Sequence, residues 1–277
     1  MKVVINSKYE YLRDWIEQMP VNFDRGGEVI QDDRNIIKIL SLDNGLKVNV
    51  KRFKKPHLIN RIAYTFFRKS KAFRSYYNAL RIAEKGFETA ESIAYIEIKE
   101  GGLLSDSYYI SLQCSGVIEV REYCHGPLSG NERVIDAFAK YTAALHDAGI
   151  FHIDYSPGNI LIRENDGKYA FILVDLNRLK FMQVSNEDGC RNLARLFTVY
   201  EINIYVVGIH AQSRKQPFSI EEAVRLLMYY RHQFLHIEVC KKKIKKWLKK
   251  YLFFYKELIE IRCLLLMAAY FHLFGIS

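Results

Sequence analysis

Alternating, strand-like segments crowd the first 112 residues of the chain, and helical periodicity fills most of the remainder. Such segregation describes an α+β protein with a strand-rich N-terminal lobe and a helical C-terminal lobe. Residues 27–30, 35–40 and 46–53 read as strands. Asp43-Asn44-Gly45 lies between the last two, and Asn and Gly tolerate the positive φ of a tight hairpin. Residues 71–85 read as one inserted helix, with Ala72, Tyr76, Ala79 and Ala83 on a single stripe and Gly86 past its end. Strands resume over 93–98 and 108–112. Asn131 then reads as the cap of a helix that buries Val134, Phe138, Tyr141 and Leu145 and stops at Gly149. Residues 159–162 and 170–174 form a second hairpin around Asn165-Asp166-Gly167. Beyond about residue 190 the pattern is helical, and Ser219-Ile220-Glu221-Glu222 fits a capping box. The lobes are expected to be residues 1–115 and 116–277.

With 277 residues, half of them hydrophobic, the chain can bury a large core, which excludes extended disorder. The apolar stretch after Arg262 is shorter than the roughly 20 residues of a membrane span and contains His272. Met1–Asn6 leads straight into charged residues without the apolar core of an export signal, so a cytoplasmic protein is expected. Cysteines at 114, 124, 190, 240 and 263 include no C-x-x-C pair, which suggests neither a disulfide framework nor a zinc site.

The net charge of +10 is unevenly placed. Ten Lys and Arg fall between residues 51 and 83 with no Asp or Glu, and from Lys241 onward nine basic residues face only Glu257 and Glu260. These two patches suggest an anionic partner: nucleic acid, phospholipid or a phosphorylated sugar. In the second patch Ile244, Trp247, Leu248 and Tyr251 share a helical face among the lysines of 241–250, as in helices that lie on anionic membranes.

Chemistry concentrates in His152-Ile153-Asp154-Tyr155-Ser156-Pro157-Gly158-Asn159, followed sixteen residues after Asn159 by Asp175 at the end of an apolar strand. Phosphoryl transfer from ATP needs a carboxylate to position a hydroxyl and hard oxygen ligands for magnesium. Asp154 suits the catalytic base, and Asn159 with Asp175 the Mg2+ ligands. The five-residue step from Asp154 to Asn159 resembles the catalytic loop of the protein-kinase-like superfamily, which implies a bilobal protein-kinase-like fold. Val48-Asn49-Val50-Lys51 then resembles the strand whose lysine holds the nucleotide phosphates. The glycine-rich loop is absent, so phosphate contacts would come from backbone amides or Arg34. The inserted helix presents Ser75 and Asn78 where a Glu should pair with Lys51, and Glu84 lies near its end. Leu112 and Cys114 fall at the expected nucleotide hinge. His152 reads as an anchor of the loop, and His232 with His236 as residues of a solvated helix.

Lys51–Pro56, the run Arg68–Ser75 with Asn78-Ala79-Leu80, Asp154–Leu161 and Val174–Arg178 resemble the lipopolysaccharide core kinases, the Kdo and heptose kinase family, over roughly residues 25–195. That resemblance implies an enzyme using ATP and magnesium. It also implies a lipid-anchored lipopolysaccharide core precursor, most simply its Kdo sugar, as acceptor at the cytoplasmic membrane face, and no nucleic acid. The alternatives are a kinase for a small alcohol such as an aminoglycoside or choline, an atypical Ser/Thr protein kinase, and a pseudokinase scaffold.

Overall fold

The computed structural model describes the backbone of residues 1–273 and the side chains of residues 1–249 and Tyr251. The apolar stretch after Arg262 and Cys263 therefore falls outside the described side chains. Residues Met1–Leu227 form one compact unit and a second begins at Met228.

The first half runs β1 (Lys2–Ile5), α1 (Arg13–Asn22), β2 (Glu28–Asp32), β3 (Asn35–Ser41), β4 (Lys47–Phe53), α2 (Leu58–Phe66), α3 (Lys71–Glu84), β5 (Glu88–Thr89), β6 (Ser92–Glu100) and β7 (Leu103–Leu112). Six of these strands make an antiparallel sheet in the order β1-β6-β7-β4-β3-β2. Its residue alternation sorts β4 between two partners. Val48 and Val50 face a core shared with Ile16, Met19 and Phe23 of the α1 region, whereas Phe53 packs with Ala72 and Tyr76 of α3. Lys51 is on the Phe53 side, so sequence period alone turns it toward α3.

The Asn44-Gly45 turn forms as its residues predict. Gly45 has φ +81°, and the Asn44 Oδ1 accepts from Leu46 N–H at 3.0 Å. α3 is capped by Ser70, whose hydroxyl accepts from Phe73 N–H at 3.0 Å, and ends at Gly86 with φ +81°. Its buried face is Ala72, Ser75, Tyr76, Ala79 and Ile82. Ala83, expected on that stripe, is exposed, because the last turn continues the face by three residues rather than four and buries the larger Ile82. Elements with no sequence expectation include β1, which is only four residues long; α1, which contains Pro20; and α2.

The rest of the chain comprises β8 (Ile118–Glu119), α4 (Glu132–Asp147), β9 (Ile150–His152), β10 (Ile160–Asn165), β11 (Lys168–Leu173), β12 (Leu179–Phe181), α5 (Asn186–Leu193), α6 (Tyr200–Ser213) and α7 (Ile220–Leu273). The strands form two small sheets, β5-β11-β10-β8 and β12-β9. At the β10–β11 hairpin Asp166 and Gly167 have φ +50° and +72°, the two left-handed residues that a two-residue turn requires. Asn131 precedes α4 but does not cap it as expected. Its Nδ2 donates instead to Pro127 O at 2.9 Å, which turns the side chain away from the first-turn amides. Val134, Phe138 and Leu145 are buried as the periodicity predicts, with Tyr141 half-buried. Ser219 accepts from Glu222 N–H at 3.4 Å, one arm of the expected capping box.

Candidate active site

A cleft of about 650 Å3 is lined by Arg34, Lys51, Leu112, Cys114, Asp154, Asn159 and Asp175, so the structure gathers the seven catalytic, metal and nucleotide candidates of the sequence. Ser75, Thr89 and Gln113 also line it. Arg34 lies between β2 and β3, where Asp33-Arg34 occupies the position of a glycine-rich loop. Cys114 follows β7, and burial pushes its thiol pKa up. That rise argues for packing rather than reactivity.

Lys51 is two residues from the end of β4 and forms an ion pair with the Asp175 carboxylate. The acidic partner of Lys51 is thus supplied by Asp175 and not by α3, whose one carboxylate is Glu84 at its last residue. Where a glutamate was sought, Ser75 is buried, and Asn78 Nδ2 donates to Leu176 O at 2.7 Å. Asp175 has φ +53° and ψ +49°, a left-handed conformation that Asp tolerates better than most residues. Burial works to raise its pKa, but the neighbouring Lys51 ammonium and the Asn177 amide outweigh it, so the carboxyl lies below its usual range. Asn177 Nδ2 donates to Oδ1 at 2.6 Å, the same oxygen that meets Lys51. Oδ2 is left for another ligand.

The loop from 152 to 159 is tied to the segment that leads from β11 to Asp175. His152 Nδ1 accepts from Asp154 N–H at 3.1 Å, which makes Nε2 the protonated nitrogen, and this donates to Val174 O at 3.3 Å. Burial lowers the pKa of His152, consistent with that neutral tautomer. His152 is therefore the expected anchor. Asn159 Nδ2 donates to Asp154 O at 2.9 Å, and Val174 N–H to Asn159 O at 3.0 Å. With its nitrogen committed, Asn159 offers Oδ1 to a cation. Asp154 meets the Arg178 guanidinium at 3.3 Å.

Arg178 and Lys71 are site residues that the sequence motifs did not single out. Lys71 and Lys51 approach one aromatic ring, with ammonium nitrogens 5.8 and 5.4 Å from the centre of Phe53. Burial first, then the charges of Arg178, Lys51, Arg34 and Arg74, lower the Lys71 pKa. The signal for Arg178 was its place three residues after Asp175.

Beneath the loop, Asn192 Nδ2 donates to His152 O at 2.9 Å, and its Oδ1 accepts from His146 Nε2 at 3.2 Å. His146 Nδ1 must then accept from His210 Nε2 at 2.9 Å. Burial drives the His146 pKa down from 6.5 to about 4, and that of His210 well below its usual value. An unfolded chain takes up these protons near pH 6.5, whereas the folded chain refuses the one on His146 until about pH 4 and likewise resists charging His210. Their stabilising contribution is complete above pH 6.5 and is lost as pH falls, by roughly 3 kcal/mol for His146 alone. Thermal unfolding followed from neutral pH down to about pH 4 should show a midpoint that begins to fall near 6.5. A flat profile would contradict the buried neutral pair.

A model of the lipopolysaccharide kinase (Kdo/WaaP) family matches residues 43–230. Among solved structures, WaaP in complex with acyl carrier protein superimposes with a TM-score of 0.58 at 15% identity, covering 84% of this chain and 98% of that one. The Rio2 kinase of Chaetomium thermophilum, in an ADP/Mg2+-phosphoaspartate complex, gives a TM-score of 0.45 at 15% identity over 83% and 78% of the two chains. A MAP kinase of Leishmania major gives 0.42 at 14% identity over 78% and 65%. No curated protein matches in sequence. A six-stranded lobe joined to a helical lobe, with a cleft between a strand lysine and a D-x-x-x-x-N loop, defines a protein-kinase-like phosphotransferase that uses ATP to modify hydroxyl groups. The chain belongs to the lipopolysaccharide kinase (Kdo/WaaP) family, and is a kinase of the lipopolysaccharide core.

Proposed function

We propose that this chain transfers the γ-phosphate of ATP to a hydroxyl of Kdo in the lipopolysaccharide inner core, at the cytoplasmic face of the membrane. The observation that carries the reading is the convergence of Lys51, Asp154, Asn159 and Asp175 on one cleft in a member of this family. Asp154 takes the proton of the acceptor hydroxyl as its oxygen bonds to the γ-phosphorus and the bond to the ADP oxygen breaks. Asn159 Oδ1 and Asp175 Oδ2, both hard oxygens, suit Mg2+, which when bound neutralises charge on the transferring phosphoryl group. Lys51 holds the nucleotide phosphates, Arg34 reaches them from the β2–β3 turn, and Leu112 with Cys114 border the adenine end. The lobe boundary falls near residue 115, just after those two.

Arg178 beside Asp154, whose charge Lys71 also feels, favours an anionic acceptor such as Kdo, which carries a carboxylate. A cationic aminoglycoside or choline would be repelled there. Membrane placement is supported by the exposed Ile244, Trp247, Leu248 and Tyr251 among the lysines of 241–249. Among the described residues no helix is long and apolar enough to cross a membrane.

Incubating the purified chain with ATP, Mg2+ and Kdo-bearing lipid A, followed by mass spectrometry, should show a gain of about 80 mass units on the Kdo moiety. In the same assay Arg178→Gln should raise the acceptor KM and leave the KM for ATP unchanged. A gain confined to a heptose-bearing core would rule out Kdo as the acceptor.

A further inference from the structure

α2 is packed with its polar side inward. Arg61 donates from Nε to Leu104 O at 2.8 Å and from Nη2 to Glu100 O at 3.0 Å. Thr65 Oγ1 donates to Arg61 O at 2.7 Å and accepts from Leu104 N–H at 2.9 Å. The residues that fix the helix to β7 are therefore hydrophilic. Its apolar residues lie on the outside: Leu58, Ile59, Ile62 and Phe66 are exposed, as is Phe67 just beyond, with Ile59 at 83% and Phe67 at 85%. No residue of α2 is buried. A helix of this length is not stable in water without tertiary anchors, so the Arg61 and Thr65 bonds maintain a helix whose apolar side serves something outside the fold.

Charge identifies that surface. Lys54, Arg68 and Lys69 flank the helix, and residues 51–83 contain no carboxylate at all. Beside Phe66 and Phe67 lies a groove of about 610 Å3 whose lining includes Lys2, Lys69 and Lys99, with Glu97 as its acidic residue. An apolar centre flanked by Lys54, Arg68 and Lys69, with the nearby Glu100 carboxylate taken up by Lys55 and Arg61, fits the acyl boundary and phosphate headgroups of an anionic bilayer. The cationic surface also continues toward the cleft, since Arg74 feels both Arg68 and Arg178.

We propose that α2 and the following Phe67-Arg68-Lys69 form a docking face for an anionic phospholipid surface, Ile59, Phe66 and Phe67 entering the acyl boundary and Lys54, Arg68 and Lys69 meeting the phosphates. This rests on the proposed placement at the membrane but not on the identity of the sugar, and it adds a contact on the kinase lobe separate from residues 241–250.

Flotation of the full chain with phosphatidylcholine vesicles, with and without phosphatidylglycerol, tests the proposal. Wild type should float with the anionic vesicles alone. In Ile59→Glu/Phe67→Glu the bound fraction should drop about tenfold or more, with the unfolding midpoint and transfer to a detergent-dispersed acceptor unchanged. The emission of Phe67→Trp should shift blue on anionic vesicles, a readout that does not depend on the double variant folding. Flotation of the double variant at the wild-type level, or no shift at Trp, overturns the docking face. If a Lys242→Gln/Lys245→Gln/Lys246→Gln/Lys249→Gln variant then loses binding, the membrane reading stands without α2. Wild type that ignores anionic vesicles overturns both, and equal flotation on neutral vesicles overturns the headgroup contacts.

Discussion

Asp154→Asn should lower turnover by about 10²- to 10⁴-fold while leaving the KM for ATP near its original value. The substitution keeps the shape of the side chain and removes its capacity to accept a proton. The loop should hold its position, because its link to His152 runs through the backbone N–H of residue 154 and Asn159 bonds to the backbone carbonyl. The contact with Arg178 is between half-exposed groups, so its loss should cost at most about 1 kcal/mol. Steady-state kinetics and unfolding of the same preparation make the check. A variant retaining a tenth or more of the activity (roughly 1.4 kcal/mol of barrier) would remove Asp154 from the proton-transfer role.

Phe138→Ala should destabilise the fold by about 3–5 kcal/mol. Phe138 is buried, and its ring centre lies 5.6 Å from Phe171, 5.8 Å from Phe197 and 6.3 Å from Tyr155. Truncation opens a cavity between rings that belong to β11, the segment between α5 and α6 and the loop bearing Asp154, and rings held from several elements cannot easily collapse into it. Tyr155 donates to Thr142 Oγ1 at 2.8 Å, and Thr142 is already committed to Phe138 O at 2.9 Å, so the same cluster holds the residue next to Asp154. Chemical denaturation measures the loss, and a change below about 1.5 kcal/mol would mean that the cluster relaxes freely.

Legibility in the sequence followed locality. Both hairpins could be read because Asn44-Gly45 and Asp166-Gly167 encode their turns in adjacent residues. The D-x-x-x-x-N loop and Asp175 were legible for the same reason, and all seven candidates line one cleft. Elements that depend on distant partners were not. β1 exists because Val3 and Val4 pair with Ile96 and Tyr95, some ninety residues away in sequence. α2 escaped because its apolar stripe, Leu58, Ile59, Ile62 and Phe66, spans only nine residues, too short a run for periodicity to stand out. Asn131 has the composition of a cap, but a nearby carbonyl competes for its amide. The partner of Lys51 was sought on α3 and supplied by Asp175, 124 residues further along.

Asp154, Asn159 and Asp175 are riveted to one another through His152 and the Asn159–Val174 backbone bond, while Lys51 rides on the large sheet. The cleft thus has one wall built as a single piece and another joined to it by the Lys51–Asp175 ion pair and the Asn78–Leu176 bond. Incoming phosphates that draw Lys51 away from Asp175 would leave that carboxylate to a cation, while the Asn78–Leu176 bond and the β5–β11 pairing keep the two walls together, so the nucleotide and its counterion would be seated in one exchange of partners.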